Sequence, residues 1–122
     1  MTFQVTVNQR EPGVFMVSVV GSLDSTTHDV FEKKLAPIGF MPIKVIVLDL
    51  AGVDYVSSLG IGSVFKIIQM AKPKGGTVLM ANLQPKVKKV FDIVKALPGG
   101  IFKSIEEADE YIDALQKEPP AK

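Results

Sequence analysis

Hydrophobic and polar residues alternate along this chain with two different periods. FQVTVNQ (residues 3–9) alternates apolar and polar side chains, and VFMVSVVG follows after the turn-forming EPG. Period-two alternation on both sides of a turn predicts a β-hairpin over residues 3–21. KVIVLDL (44–50) is almost continuously apolar and β-branched, which predicts a central strand covered on both faces. TVLMA (77–81) predicts a further strand.

Segments with helical periodicity separate these strands. Asp24 or Ser25 is placed to cap the first helix, which ends near Pro37, and Pro85 suits the first turn of the third. The glycines of KPKGG end the second helix. The apolar stripes are Val30, Phe31, Leu35 and Ile38; Val64, Phe65, Ile68 and Ala71; and Val87, Val90, Phe91 and Val94.

The C-terminal region predicts one more strand and one more helix. The strand covers residues 101–103, and in SIEEADEYIDAL the pair Ser104 and Glu107 forms a capping box before an apolar stripe. A hairpin followed by alternating helices and strands predicts an α/β fold: one domain over residues 1–116, with a mixed sheet of about five strands and about four α-helices. Residues 117–122 (KEPPAK) are expected to form a disordered tail.

Composition limits the classes of function. Of the 122 residues 47% are hydrophobic, which is enough for one globular domain with a substantial core. The formal net charge is +1 with both signs mixed, which argues against direct binding to nucleic acid. There is no cysteine, no signal peptide and no apolar run of about 20 residues, so we expect a cytoplasmic protein without membrane insertion.

Two adjacent serines stand out in DYVSSLGIGSV (residues 54–64), where the preceding AGVDYVSS is predicted to be a loop between strand and helix. Ser57 or Ser58 at a helix start can accept a hydrogen bond from an amide two or three residues ahead, and capping alone is the simpler interpretation. The alternative is a covalent switch, because a helix N-terminus favours an anion and a phosphate on Ser58 would add roughly −1.5 to −2 charges. That alternative expects the hydroxyl to be open to solvent.

Catalytic patterns are weak by comparison. The only histidine, His28, falls in the first predicted helix, where we expect it to be solvated rather than to activate a serine. Gly60-Ile-Gly62 lacks the third glycine of a dinucleotide site, KPKGG lacks the ending of a P-loop, and Asp49 and Asp54 fit a strand end and a turn. We therefore expect no enzyme and no cofactor or metal.

The same residues carry a resemblance to a known family. VIVLDLAGVDYVSSLGIGSV resembles the strand, loop and helix start of STAS domains in bacterial anti-sigma factor antagonists, where an Asp-Ser-Ser/Thr-Gly-Leu-Gly pattern holds the phosphorylated serine. Gly60, Ile61 and Gly62 match its Gly-Leu-Gly, which puts Ser58 at the phosphoacceptor position. GSLDSTTHDVF is similar to the family's Gly-Glu-Leu-Asp segment, so Asp24 matches an acidic residue near the partner-binding region.

The chain departs from this pattern at three positions. Ser57 stands where the family usually has aspartate, Leu59 where it has a second serine or threonine, and Ser22 where it has glutamate. Ser57 therefore remains an alternative phosphoacceptor. The partner-binding residues that the resemblance implies are Asp24, Ser57, Ser58, Leu59, Gly60, Ile61 and Gly62.

The resemblance implies a binding protein that takes part in partner switching. Family members bind an anti-sigma factor that is also a serine kinase and so release a sigma factor; phosphorylation ends the binding and a metal-dependent serine phosphatase restores it. The alternative is a non-switching STAS module, either a scaffold in a signalling complex or the cytoplasmic subunit of a lipid or anion transport system. A weak homodimer is a further alternative.

Two surface features remain open in the sequence. Lys86, Lys88 and Lys89 are expected to form a solvated face of the third helix. Phe40 and Met41, directly before Pro42, could form an apolar contact patch in a loop, although burial is the expectation.

Overall fold

The computed structural model describes residues 2–96, 110, 112–114 and 116, with the backbone alone for residues 94–96. Residues 110, 112–114 and 116 are helical, whereas the predicted strand at 101–103 and the capping box of Ser104 and Glu107 lie outside the described residues. The elements, in chain order, are β1 (Gln4–Glu11), β2 (Val14–Leu23), α1 (His28–Leu35), a 3₁₀ turn (Ala36–Phe40), β3 (Val45–Val56), α2 (Ser58–Ala71), a second 3₁₀ turn (Lys72–Lys74), β4 (Thr77–Ala81) and α3 (Pro85–Ala96).

The four described strands form one mixed sheet in the order β1-β2-β3-β4, which confirms the predicted α/β class. β1 and β2 form the predicted antiparallel hairpin, closed by Gly13 at φ +83°, a conformation that costs glycine little. β2, β3 and β4 run parallel. Their last residues therefore meet at one end of the sheet, called here the carboxyl end, and their first residues at the opposite, amino end.

β3 is longer than its sequence pattern indicates. We predicted a strand over KVIVLDL followed by a loop, but the strand continues through AGVDYV to Val56. It continues because Val53 and Val56 remain fully buried, while register shifts opposite Val20 accommodate the Ala51-Gly52 step. Only Ser57 separates β3 from α2, so the two serines sit at the carboxyl end of the sheet and not in a loop.

One face of the sheet carries the core. Phe15, Val17 and Val19 on β2 are buried, whereas the alternating Met16 and Ser18 are half-buried or exposed. The same alternation holds in β3 over residues 45–50, where every second residue is half-buried, so the described residues fully cover only one face of this part of the strand. The prediction that both faces are covered is therefore wrong. The helices supply the rest of the core through Phe31, Leu35, Ile61, Val64, Ile67, Val87, Val90 and Phe91.

Three predicted core positions are exposed. Val30 is 48% exposed because Phe31, Leu35 and Ile38, spaced at i, i+4 and i+7, already define the inner face of the first helical segment. In α2 the inner face runs through Ile61, and Phe65 is left at its exposed margin. Phe40 is 91% exposed, so the expectation of burial is wrong there, while Met41 is half-buried.

None of the helices in the described region is long and apolar enough to cross a lipid bilayer.

Candidate functional site

Ser57 is the residue that caps α2. It has an extended backbone, its Oγ accepts a hydrogen bond from the amide of Gly60 at 3.2 Å, and its own amide donates to the carbonyl of Leu23 at 3.0 Å. Only 6% of the residue is exposed. The sequence alone left open whether Ser57 or Ser58 caps the helix. In the structure Ser57 is the cap and connects the end of β3 to the start of α2, whereas Ser58 is not the cap.

Ser58 is the first residue of α2 and is half-buried. Its Oγ is shielded from solvent, so the expectation of an open hydroxyl is wrong for this conformation. Side chains at a helix start lean toward the preceding segment, which here is the end of β3. The residue remains at the N-terminal end of a 14-residue helix, where backbone amides favour an anion.

The Gly60-Ile61-Gly62 motif contains two glycines with different environments. A Cβ on Gly60 would lie 2.1 Å from the carbonyl oxygen of Leu23, so only glycine lets α2 pack this closely on the end of β2. A Cβ on Gly62 would meet nothing within 4 Å. Ile61 is buried, and Leu59 is half-buried. The fold therefore requires Gly60 but not Gly62.

Asp24 organises the turn between β2 and α1. Its Oδ1 accepts hydrogen bonds from the amide and the hydroxyl of Thr26, both at 2.9 Å, and its amide donates to the Thr27 hydroxyl. The prediction that Asp24 or Ser25 caps α1 is wrong, because the helix begins at His28 and Thr27 occupies the cap position, where its side chain makes no capping hydrogen bond to the helix. Ser22, which replaces the family's glutamate, donates to Asp54 at 3.2 Å.

The predicted site residues divide into two groups. Leu23 pairs with Val56 across the sheet, so the Asp24 turn and the serines lie side by side at the carboxyl end. A surface group is half-buried: Asp24, Ser58, Leu59 and Gly62. A supporting group is buried and positions the first: Ser57, Gly60 and Ile61.

A second polar cluster joins α1 to α2 and was missed in the sequence. The Ser63 hydroxyl, 1% exposed as a residue, donates to Oε2 of Glu32, which also lies 3.1 Å from Nδ1 of His28 and, through Oε1, 3.2 Å from Nζ of Lys66. These contacts, led by the Ser63 hydrogen bond, lower the pKa of Glu32 from 4.5 to about 2. The i, i+4 spacing of His28 and Glu32 was the available signal.

His28, Ser63 and Glu32 are the residue types of a hydrolase triad but not its geometry. Both Ser63, at 3.4 Å, and Glu32 face the same ring nitrogen, Nδ1, whereas a triad places the nucleophile on one nitrogen and the carboxylate on the other. Ser63 is also buried away from any substrate. His28 is thus a half-buried interhelical contact, not the solvated histidine that we predicted.

Residues near the C-terminus close the end of β3. The Gln116 side chain accepts from the Val56 amide at 2.9 Å and donates to the Val56 carbonyl at 2.6 Å, as a neighbouring strand would. Tyr55 donates to Asp113. β4 pairs with β3 only as far as Asp49, so Gln116 satisfies backbone groups beyond that pairing. Nothing in the local sequence points to contacts across about 60 residues.

The other candidates have structural explanations. Asp49 accepts hydrogen bonds from the Ala51 amide and the Asn82 side chain, and the three lysines of α3 are exposed as predicted.

A cavity of about 170 Å³ between α2, β4 and α3 is lined by apolar side chains and Asp92, which pairs with Lys88 at 2.8 Å. Among the described residues no group of three or more His, Cys, Asp or Glu side chains could hold a metal ion.

Comparisons with known proteins agree with this architecture. The chain is 29% identical to the anti-sigma-B factor antagonist of Bacillus subtilis over 93 residues, 76% of this chain and 84% of that protein. Its fold is similar to that of the anti-sigma factor antagonist SpoIIAA in its unphosphorylated form (TM-score 0.63, 18% identity, 93% of this chain and 99% of that one).

The fold also occurs inside a much larger protein. The murine anion transporter Slc26a9 contains a similar region, with a TM-score of 0.61 and 22% identity over 87% of this chain and 18% of that one. The family model for the STAS domain matches residues 6–108. Because that match spans most of the chain and agrees with the sheet and helix order, the protein belongs to the STAS domain family.

Proposed function

We propose that this protein is an anti-sigma factor antagonist: it binds an anti-sigma factor that is also a serine kinase and thereby releases a sigma factor. The supporting observation is the surface group beside the α2 start, where Asp24, Ser58, Leu59 and Gly62 are partly exposed at one end of the sheet. Gly62 adds a specific argument. Packing within the fold does not require glycine at this position. A partner backbone that approaches closely would require it, because a Cβ would stand in its way.

Phosphorylation of Ser58 is the proposed off-switch. A phosphate at the first residue of α2 would be held by the helix N-terminus and would place a dianion within the binding surface, where it repels an acidic partner and is costly to desolvate. Because the Oγ is covered, the side chain must rotate before a kinase can reach it. The alternative acceptor Ser57 is less suited, since its Oγ caps Gly60 and its phosphorylation would break the cap.

The chain itself contributes a hydroxyl and a surface to this cycle, and no cofactor. The kinase partner supplies ATP chemistry, and a metal-dependent serine phosphatase removes the phosphate. Both belong to the cytoplasm, where we place this protein. A weak homodimer through the same surface would compete with the kinase.

The test is phosphorylation by the kinase encoded nearest to this gene, read by mass spectrometry. We expect phosphate on Ser58, none on the Ser58→Ala variant, and Ser58 still modified in Ser57→Ala. Gly62→Ala should fold but bind the kinase at least about tenfold more weakly, because its Cβ points to the partner. Phosphate on another residue with Ser58 unmodified would contradict the switch.

A non-switching STAS module is the second candidate. The covered Oγ of Ser58 and the absence of the family's aspartate at Ser57 favour it, as does the occurrence of the fold within an anion transporter. Such a module would act as a scaffold or as a subunit of a lipid or anion transport system. A pulldown with wild type, Ser58→Asp and Ser58→Ala separates the two. Loss of a kinase with Asp alone supports the switch, whereas an unchanged set of partners supports the scaffold.

A further inference from the structure

The most exposed large apolar side chain in the described region is Phe40, at the amino end of the sheet. The ring belongs to a fixed turn. The Met41 amide donates to the Ile38 carbonyl at 3.0 Å, and Gly39 lies so close to α2 that a Cβ there would be 3.0 Å from the sulfur of Met70. The backbone is thus held from both sides while the ring, 91% exposed, projects outward.

Five exposed lysines occupy the same end of the molecule. Two lie in the last turn of α1, one directly precedes β3, and two lie in the 3₁₀ turn after α2. The shared location follows from the parallel strands, since the residue before β3 bonds both to Gly13 before β2 and to Thr77 at the start of β4. Together with Phe40 they define the Phe40 patch: Lys33, Lys34, Lys44, Lys72 and Lys74.

The charges of the patch are not neutralised by the described part of the chain. No carboxylate there lies within ion-pair distance of these five ammonium groups. Arg10 and Glu11, at the neighbouring end of β1, offset each other. At the carboxyl end, by contrast, charges of both signs are mixed, since Asp24, Asp49 and Asp54 lie there together with the lysines at the start of α3. Lysines near helix C-termini offset the helix dipole, but this does not explain an exposed aromatic ring beside them.

We propose that the Phe40 patch docks on an anionic lipid surface. A projecting aromatic side chain can enter the headgroup region, and lysines on flexible stems neutralise diffuse lipid phosphates without a fixed geometry. A protein anchor would favour arginine, and none of the five cations is arginine. The binding is peripheral and reversible. It orients the carboxyl end, with Asp24 and the serines, away from the membrane, and it does not depend on the function proposed for that end.

Cosedimentation with vesicles tests the docking. We expect binding to phosphatidylcholine vesicles containing about 30 mol% phosphatidylglycerol, none to pure phosphatidylcholine, and release as salt rises from about 100 mM toward 500 mM. Phe40→Ser should weaken binding by about tenfold. Lys72→Gln with Lys74→Gln should weaken it by a similar factor, while the control pair Lys86→Gln and Lys88→Gln on α3, with the same charge change, should alter it less than about twofold.

A fluorescence measurement follows the patch directly. The chain has no tryptophan, so Phe40→Trp provides a single reporter, and Leu79→Trp on the exposed sheet face provides its control. We expect the indole emission of the Phe40→Trp variant to shift to the blue with anionic vesicles, and that of the control to stay unchanged. Absence of binding to anionic vesicles would overturn the proposal in favour of an acidic protein surface. Equal binding by Phe40→Ser, or equal loss with the α3 control pair, would overturn it in favour of nonspecific charge attraction.

Discussion

Folding lowers the pKa of Glu32 through contacts that the structure shows. The Ser63 hydroxyl is the largest cause of its lowered pKa, the contacts with His28 and Lys66 add to it, and burial opposes it. A folded-state pKa of about 2 lies below the ordinary 4.5, so the folded state prefers the carboxylate. Its contribution to stability is complete above pH 4.5 and is lost as the pH falls through about 2.

Ser63→Ala removes the main cause of that shift. We expect the Glu32 pKa to rise toward its ordinary value and the free energy of unfolding at pH 7 to fall by about 1 kcal/mol. The difference in unfolding free energy between the variant and wild type should become smaller as the pH drops from 4.5 toward 2. NMR titration of the Glu32 carboxyl and urea unfolding at several pH values measure both effects. Lys66→Gln removes smaller contributions and should therefore change the pKa of Glu32 less than Ser63→Ala does. An unchanged Glu32 pKa in Ser63→Ala would contradict this account.

At the scale of single elements, the first turns of α2 show what a short motif encodes. Gly60 allows helix and strand to touch, while Gly62 occupies a helical position with space around it. Glycine inside a helix lowers stability relative to alanine, so the fold alone does not account for the second glycine. The sequence showed the motif but not this difference, because steric need depends on a carbonyl 37 residues earlier in the chain.

The two glycines can be compared by the same substitution. Gly60→Ala should lower the free energy of unfolding by about 3 kcal/mol, because α2 must move away from the Leu23 carbonyl. Gly62→Ala should raise it by about 0.5–1 kcal/mol through helix propensity. Unfolding of both variants in guanidinium chloride measures these changes in free energy. Changes of the same sign would show that the close packing of α2 on β2 is not as described.

Across the whole molecule, the candidate site depends on a distant part of the chain. Val56, the last residue of β3, hydrogen-bonds through both backbone groups to Gln116, and Ser57 follows directly. Tyr55 is tied to Asp113 in the same region. The C-terminal residues thus hold the strand end that positions Ser57 and Ser58.

Gln116→Leu tests this support. Glutamine and leucine side chains have similar size. The expected loss of about 2 kcal/mol in unfolding free energy therefore comes from the unsatisfied Val56 amide and carbonyl. Hydrogen exchange of the Val56 amide should accelerate as well. Gln69→Leu, the same change at an exposed position of α2, should stay within about 0.5 kcal/mol of wild type. A similar loss in both variants would mean that Gln116 does not hold the end of β3.

The sequence by itself determined the hairpin, the order of strands and helices in the described region, the α/β class and the motif at the α2 start. These follow from periodicity and turn residues, which act over a few neighbouring positions. It also supported the family assignment, because the glycine and serine motif is contiguous.

The tertiary structure alone decided how far β3 runs, which serine caps α2, that the Ser58 hydroxyl is covered, and that Phe40 is exposed. It also brought together Glu32 with Ser63 and Val56 with Gln116. Each of these depends on contacts between segments that are far apart in the chain. Burial and hydrogen-bond partners across such separations are set by packing, and no local pattern of residues encodes them.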